Sequence, residues 1–345
     1  MGSGPPVTST SRELLAHIGP DGHWSSVDQS GAVRLSDASG NAQGDRAQFH
    51  RASDSVVLTG SVILSDASSR TRAQSMTFRQ AASELRADGQ VASSEVPAAA
   101  GDATGPPVEP AHISSDRLVM DTASGRAVYS GRARLWQGDS LIQADTIDLD
   151  RAKRTLIATG NMRAVFPQVR PTLPDGRAGQ VLRPFWQAEA DRMIYEADGR
   201  RGRLEHNARV HSAEGSMQAV RMDLLFVPRA DSAEPAPGAK AATATAGRPS
   251  AGTGLGAAFT GQELEQAVAF GAVRVESGER TATGERADYG AAEGKFVLSG
   301  GRPTLRDRLG NATTGRQLTF FLADDRIVID SEEGSRTLTL HRVEK

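Results

Sequence analysis

The chain contains no cysteine, which excludes disulfides and thiolate metal sites. Aromatic residues are scarce at 5%. Glycine, alanine, serine and threonine are plentiful instead, which suits many short strands and tight turns better than one large globular core. No long apolar run exists. The strongest, Leu224-Leu225-Phe226-Val227, is far too short to cross a bilayer as a helix. Neither sign of charge dominates, with 40 basic against 42 acidic side chains and a net charge of −2. That balance excludes a strongly basic nucleic-acid binder and argues against an anionic-membrane surface. The first residues, Met1-Gly2-Ser3-Gly4-Pro5-Pro6, show no basic segment followed by an apolar one, so an export signal or membrane anchor is expected to be missing from this sequence.

What the chain does have is a period. Gly31 and Gly60, Gly60 and Gly89, Gly131 and Gly160, and Gly271 and Gly300 are each 29 residues apart. Inside each interval a small residue is followed by apolar residues three and five positions on. Ala144 with Ile147 and Leu149 is one copy. The others begin at Gly44 (Ala47, Phe49), Ala73 (Met76, Phe78), Ser115 (Leu118, Met120), Ala190 (Met193, Tyr195), Ala219 (Met222, Leu224), Gly284 (Ala287, Tyr289) and Gly315 (Leu318, Phe320). In five of the eight copies a glycine follows the small residue by 16 positions, as expected of a repeat protein. A length of 345 residues would otherwise suggest two or three domains, but a stack of repeats grows without a closed core.

Composition divides the chain. Residues 1–20 read as a flexible arm with a short helical possibility at Ser11-Arg12-Glu13-Leu14-Leu15-Ala16-His17. Repeats fill 21–91, a stretch poor in apolar groups at 92–111 reads as a linker, and repeats resume over 112–227. Residues 167–184, with four prolines, read as an inserted loop. Residues 228–258 form a low-complexity insert expected to be disordered, and the last repeats occupy 259–345.

Within a repeat the hydrophobic period is two. Val33 and Leu35, Val62 and Leu64, Ala133 and Leu135, and Val273 and Val275 share one phase after the framing glycine. Between the paired apolar residues of the second strand the position is polar in six of eight copies (Gln48, Thr77, Asp148, Asp223, Asp288, Thr319). Such alternation places one row of side chains on a sequestered face and the other in water. Short links such as Gln137-Gly138-Asp139-Ser140 join neighbours antiparallel. The expected fold is all-β: an elongated, twisted β-jellyroll of two-strand repeats, with roughly sixteen strands. The framing glycines are read either as bulges where the sheet turns a corner or as ordinary turn glycines.

The predicted inward apolar residues are Phe49, Met76, Phe78, Leu118, Met120, Leu135, Ile147, Leu149, Met193, Tyr195, Met222, Leu224, Tyr289, Leu318 and Phe320. They can form either an ordinary packed core or a groove for a flexible apolar guest, to which methionine and phenylalanine adapt well. Each sequestered methylene contributes roughly 0.8 kcal/mol, so an acyl chain of about ten contributes on the order of 8 kcal/mol.

The stretch Gly131-Arg-Ala-Arg-Leu-Trp-Gln-Gly-Asp-Ser-Leu-Ile-Gln-Ala-Asp-Thr-Ile-Asp-Leu-Asp150 resembles the repeat of the OstA-like lipopolysaccharide-transport family, which includes LptA, the periplasmic part of LptC and the N-terminal domain of LptD. Ala144-Asp145 matches the family's Ala-Asp pair, and Gly44-Asp45 and Ala190-Asp191 approximate it. The resemblance implies a jellyroll whose apolar interior takes the lipid A acyl chains of lipopolysaccharide. It also implies a periplasmic place between inner and outer membranes, and edge-strand, head-to-tail joining to other Lpt jellyrolls or to itself. Residues 21–91 could then be an LptC-like part joined to an LptA-like one. A structural β-repeat scaffold with protein partners only is the alternative, and a carbohydrate-active β-helix enzyme a third reading.

No catalytic residue, cofactor or metal is expected. Asp139, Asp145, Asp148 and Asp150 read as solvated strand charges, with Asp145 and Asp148 on opposite faces and Asp150 in a turn. His206 and His211, beside Glu205 and Glu214, lack a third ligand at regular spacing. No Gly-x-Ser-x-Gly elbow is present, and Gly252-Thr-Gly-Leu-Gly256 lacks the Lys-Ser/Thr ending of a phosphate loop. Arg200-Arg201-Gly202-Arg203 reads as a solvated turn that could touch lipid phosphates.

Overall fold

The computed structural model describes residues 7–95 except Ser39, and residues 110–167, 185–212, 215–228, 262–321, 326–330 and 338–340. The expected linker and inserts lie mostly outside these residues, as do Glu214 and Gly252–Gly256. The described regular structure is entirely β, in 22 strands, and no described helix is long and apolar enough to cross a membrane. The chain divides into two compact units. One takes in the described residues of 1–138 and 143–156, and the other those of 139–142, 157–230 and 261–345.

The first unit begins with β1 (Thr8–Thr10) and β2 (Glu13–Ile18), both paired to β3 (Trp24–Asp37). Residues 8–10 and 13–18 are therefore strand, in place of the expected loose arm with its helical turn. Alternation by itself could not separate helix from strand over so short a run; pairing along β3 decides it. The unit continues through β4 (Gly40–His50), β5 (Ser55–Ser65), β6 (Ser69–Arg79), β7 (Glu84–Glu95), β8 (Ala111–Asp121) and β9 (Arg126–Gln137). Each is antiparallel to the next. β7 and β8 pair from Glu84↔Asp121 to Glu95↔Ala111. Residues 92–95 and 111 are thus strand, and β7 and β8 are antiparallel neighbours on either side of the expected linker.

Two strands, β10 (Ser140–Asp150) and β11 (Thr155–Pro167), contribute residues to both units. The second unit continues with β12 (Phe185–Glu196), β13 (Arg201–His211), β14 (Ser216–Pro228), β15 (Gln262–Ser277) and β16 (Arg280–Gly290), again successively antiparallel. Beyond it the strands come as halves. β17 (Lys295–Ser299) and β18 (Thr304–Arg306) both pair with β16. They in turn pair with β20 (Gln317–Phe321) and β19 (Ala312–Thr314), which pair with β21 (Arg326–Asp330) and β22 (Leu338–Leu340). These halves, with β1 and β2, account for the excess over the sixteen strands expected.

Except for Gly300, which follows the end of β17, the framing glycines lie inside strands, at bulges. Gly60 has φ 82° and the residue after it, Ser61, φ 49°; Gly131 and Arg132 repeat the pattern at 78° and 50°. Register shifts at these points, as between Thr59 and Val62. Extra residues in one strand bend it and sharpen its twist. A second constraint excludes a side chain. A Cβ on Gly60 would collide with the Asp45 side chain, and one on Gly131 would lie 2.8 Å from Cβ of Asp116. Asp45, Gln74, Asp116, Val220 and Glu285, each next after a small residue, thus lie over Gly60, Gly89, Gly131, Gly271 and Gly300, which links the two signatures. In β13 the glycine is replaced by His206, which takes φ 60°, with Asn207 at 52°. Asn207 Nδ2 donates to Asp191 Oδ2 at 3.0 Å, so a polar contact holds the same corner.

The bulge also shifts the phase of the even-numbered strands. Ala144 and Ile147, three apart, are both buried, so Asp145 and Thr146 intervene where strict alternation allows one residue. Asp145 and Asp148 consequently share the outer face, contrary to the opposite faces expected from uninterrupted pleating. The small residue occupies the inside of the corner, where Ala73, Ser115, Ala144, Ala190 and Ala219 are all buried.

Candidate functional site

Each bulge divides a long strand into two arms. The first arm ends in the four-residue turns 51–54, 80–83, 122–125, 151–154, 197–200 and 291–294. It carries the residues three and five beyond each small residue. The second arm carries the residues on the other side of the bulge.

Contacts between residues far apart in the pairing ladder show that the two inner faces oppose each other. In the first unit, Tyr129 of the first arm donates its hydroxyl to Ser93 Oγ of the second at 3.1 Å. Within the sheet, Tyr129 pairs with Leu118, and Ser93 with Thr71 and Ile113. Ser93 also lies 2.9 Å from Thr71 Oγ1. Burial pushes the Tyr129 hydroxyl pKa upward, only partly opposed by its bond to Ser93. In the second unit the contacts between arms are aromatic. Phe166 meets Phe226 at a ring separation of 5.0 Å, and Trp186 meets Tyr289 at 5.1 Å. Tyr289 packs in turn on Phe296 at 4.7 Å, and Tyr195 on Phe226 at 5.9 Å.

Of the fifteen predicted inward residues, fourteen are buried, from Met76 at 0% exposure to Phe78 at 8%; Phe49 is half-buried. Leu135 belongs to the second arm, paired with Ile113, and the other fourteen to the first. Side by side, first-arm residues form continuous rows. In the first unit Leu58, Met76, Ala87, Leu118 and Tyr129 are successive partners. In the second, Met193, Leu204, Met222, Ala269, Ala287, Leu298, Leu318 and Ile329 are. A parallel row runs Tyr195, Gly202, Leu224, Ala267, Tyr289, Phe296, Phe320 and Ile327.

The odd-numbered strands add Leu58, Tyr129, Leu204 and Phe296 to these rows, and Leu85 to a neighbouring one with Phe78 and Met120; all five are buried and none is among the predicted fifteen. Their signal was an apolar residue two or four positions before the framing glycine or its His206 substitute. Trp186, Phe166 and Phe226 were missed because only their meeting across the interior distinguishes them.

The outer face is charged and paired. Arg126 makes two bonds to Asp148, at 3.0 and 2.6 Å, and Arg203 donates to its cross-strand partner Asp223 at 2.8 Å. Arg286 holds Asp288 at 2.8 and 2.6 Å. The carboxylates between the inward residues are thus strand-face ion pairs, of a kind that contributes about 0–1 kcal/mol each. Asp150 lies at the end of β10 and accepts the Lys153 backbone N–H at 3.0 Å, which lowers its pKa. Among the described residues no group of three or more His, Asp or Glu side chains could hold a metal ion. His206 occupies the bulge, and His211 bonds Gln187 at 3.1 Å.

Fold and interior define an all-β repeat protein with an apolar inner face and a paired, charged outer one. Residues 112–224 match the model of the LptA/(LptD N-terminal domain) lipopolysaccharide-transport protein family, so about a third of the chain is similar to that family. Among solved structures the chain is similar to LptH of Pseudomonas aeruginosa, described as the LptA-homologous periplasmic component of the lipopolysaccharide transport device. The identity is 20% over 33% of this chain and 75% of that one, with a TM-score of 0.28. A comparison with curated proteins returns no match.

Proposed function

We propose that this protein is a non-enzymatic carrier that shields the lipid A acyl chains of lipopolysaccharide on its inner face, in the periplasm between the two membranes. The observation that carries this reading is the pair of unbroken apolar rows in the second unit, from Met193 to Ile329 and from Tyr195 to Ile327. A chain of methylenes moving along such rows exchanges one apolar contact for the next, at nearly constant energy. Their side chains include Met193 and Met222, whose flexibility suits guests of variable shape. The family match over 112–224 supports lipopolysaccharide as the cargo.

Joining to other Lpt jellyrolls, or to itself, fits the N-terminal end. Every residue of β2 is exposed, with Leu14, Leu15 and Ile18 at 60%, 59% and 64%. A strand apolar on both sides and paired to β3 is a template for addition of another chain's strand.

The contacts of Phe166 with Phe226 and of Trp186 with Tyr289 favour a second reading, a scaffold whose arms close on each other as a packed core. Photo-crosslinking groups at Phe78, Leu149 and Tyr289 separate the two. The carrier reading expects adducts with labelled lipopolysaccharide, while no adduct from any of the three positions leaves the scaffold.

A further inference from the structure

We infer that Trp186 is a ligand-contacting residue whose indole N–H takes an acyl carbonyl, making the interior selective for lipids with ester- or amide-linked chains; this rests on the carrier reading above. Trp186 is 1% exposed. Its Nε1 is buried and has no hydrogen-bond partner among the described residues. A buried indole N–H ordinarily finds an acceptor, and leaving one without is unfavourable. Trp186 belongs to the second arm, and its ring meets Tyr289 of the first at 5.1 Å with an interplanar angle of 65°. Tyr289 lies in the apolar row along which an acyl chain would pass, between Ala267 and Phe296.

The donor therefore stands beside the apolar rows, where polar groups are few. A hydrocarbon alone satisfies the rows and leaves the N–H as it is. An acyl carbonyl offers the missing acceptor next to the chain that fills the rows, whereas an ether oxygen is a poorer acceptor. The contact between arms must loosen to admit the chain, and the unmet N–H lessens the stability of the closed arrangement that has to open.

The test compares a short-chain diester phosphatidylglycerol with its diether counterpart of equal chain length. The chain has three tryptophans, and Trp24 and Trp136 are exposed by 43% and 38%. A W24F/W136F protein therefore reports from Trp186 alone. The diester is expected to bind roughly five-fold more tightly than the diether, the equivalent of one net hydrogen bond of about 1 kcal/mol, and to shift Trp186 emission to the red where the diether does not. In the otherwise unsubstituted chain, Trp186→Phe is expected to bring diester affinity down to the diether level and leave the diether unchanged. Equal affinities with no difference in emission, or a Trp186→Phe loss equal for both lipids, overturn the assignment while leaving the carrier reading intact. Failure of both lipids to bind overturns this inference, while the carrier reading is decided separately by the lipopolysaccharide adducts.

Discussion

The Tyr129 hydroxyl donates to Ser93 Oγ at 3.1 Å although the two residues occupy opposite arms, and Thr71 Oγ1 lies 2.9 Å from the same serine oxygen. This buried polar chain joins the two inner faces within the first unit. Tyr129→Phe is expected to lower stability at neutral pH by about 1 kcal/mol, the net value of one hydrogen bond, with Ser93 keeping its bond to Thr71. The alkaline response carries the sign. The Tyr129 pKa is raised in the fold, so its contribution is complete below the unfolded value of 10.0 and is lost as pH rises from there towards the folded value. That loss has a slope of at most about 1.4 kcal/mol per pH unit. Urea unfolding at neutral and high pH checks this: Tyr129→Phe should show a smaller alkaline loss than the parent.

The corner has its own test. Gly60→Ala adds a Cβ both to a left-handed residue and against Asp45. We expect a loss of about 1–3 kcal/mol, with Asp45→Gly in the same chain recovering the steric share but not the conformational one. His206 already bears a side chain at the equivalent place with φ 60°. His206→Gly should therefore raise stability, and with it the unfolding midpoint, by about 1–2 kcal/mol. A lowered midpoint would show that the imidazole makes a compensating contact.

Phe226 touches both Phe166 of the second arm and Tyr195 of the first. Truncation to alanine should cost about 3–5 kcal/mol. A double-mutant cycle between Phe166 and Phe226 should return a coupling of about 0.5–1.5 kcal/mol. Coupling near zero would mean that the arms do not bear on each other at this point.

On the acid side, Asp121 and Asp150 receive backbone N–H groups in the first-arm turns. Asp121 accepts those of Ala123 and Ser124, at 2.9 and 3.2 Å. These bonds, from Ser124 for Asp121 and Lys153 for Asp150, lower both pKa values from the ordinary 3.8. The stabilisation is present above that value and disappears as pH falls through the lower folded pKa. Replacing both by alanine should flatten the loss of stability between neutral pH and strong acid, as read from thermal midpoints.

The alternation of Val62 and Leu64, the spacing of Ala144, Ile147 and Leu149, and the recurrence of glycine every 29 residues determined the strand class, the repeat and much of one buried row. Those features were legible because side-chain alternation and backbone permissiveness are local properties of the chain. Tertiary structure alone decided the rest. Whether Gly60 made a turn or a bulge depended on Asp45 lying over it from the neighbouring strand. The common face of Asp145 and Asp148 depended on the phase shift at that corner. β7 and β8 paired across a segment that composition read as a linker, since register is set by partners and not by what joins them. Tyr129 with Ser93 and Trp186 with Tyr289 met only because the strands bend. Sequence periodicity states which side of a strand is apolar, but which opposing side chain it reaches is set by the angle of a corner built from several strands.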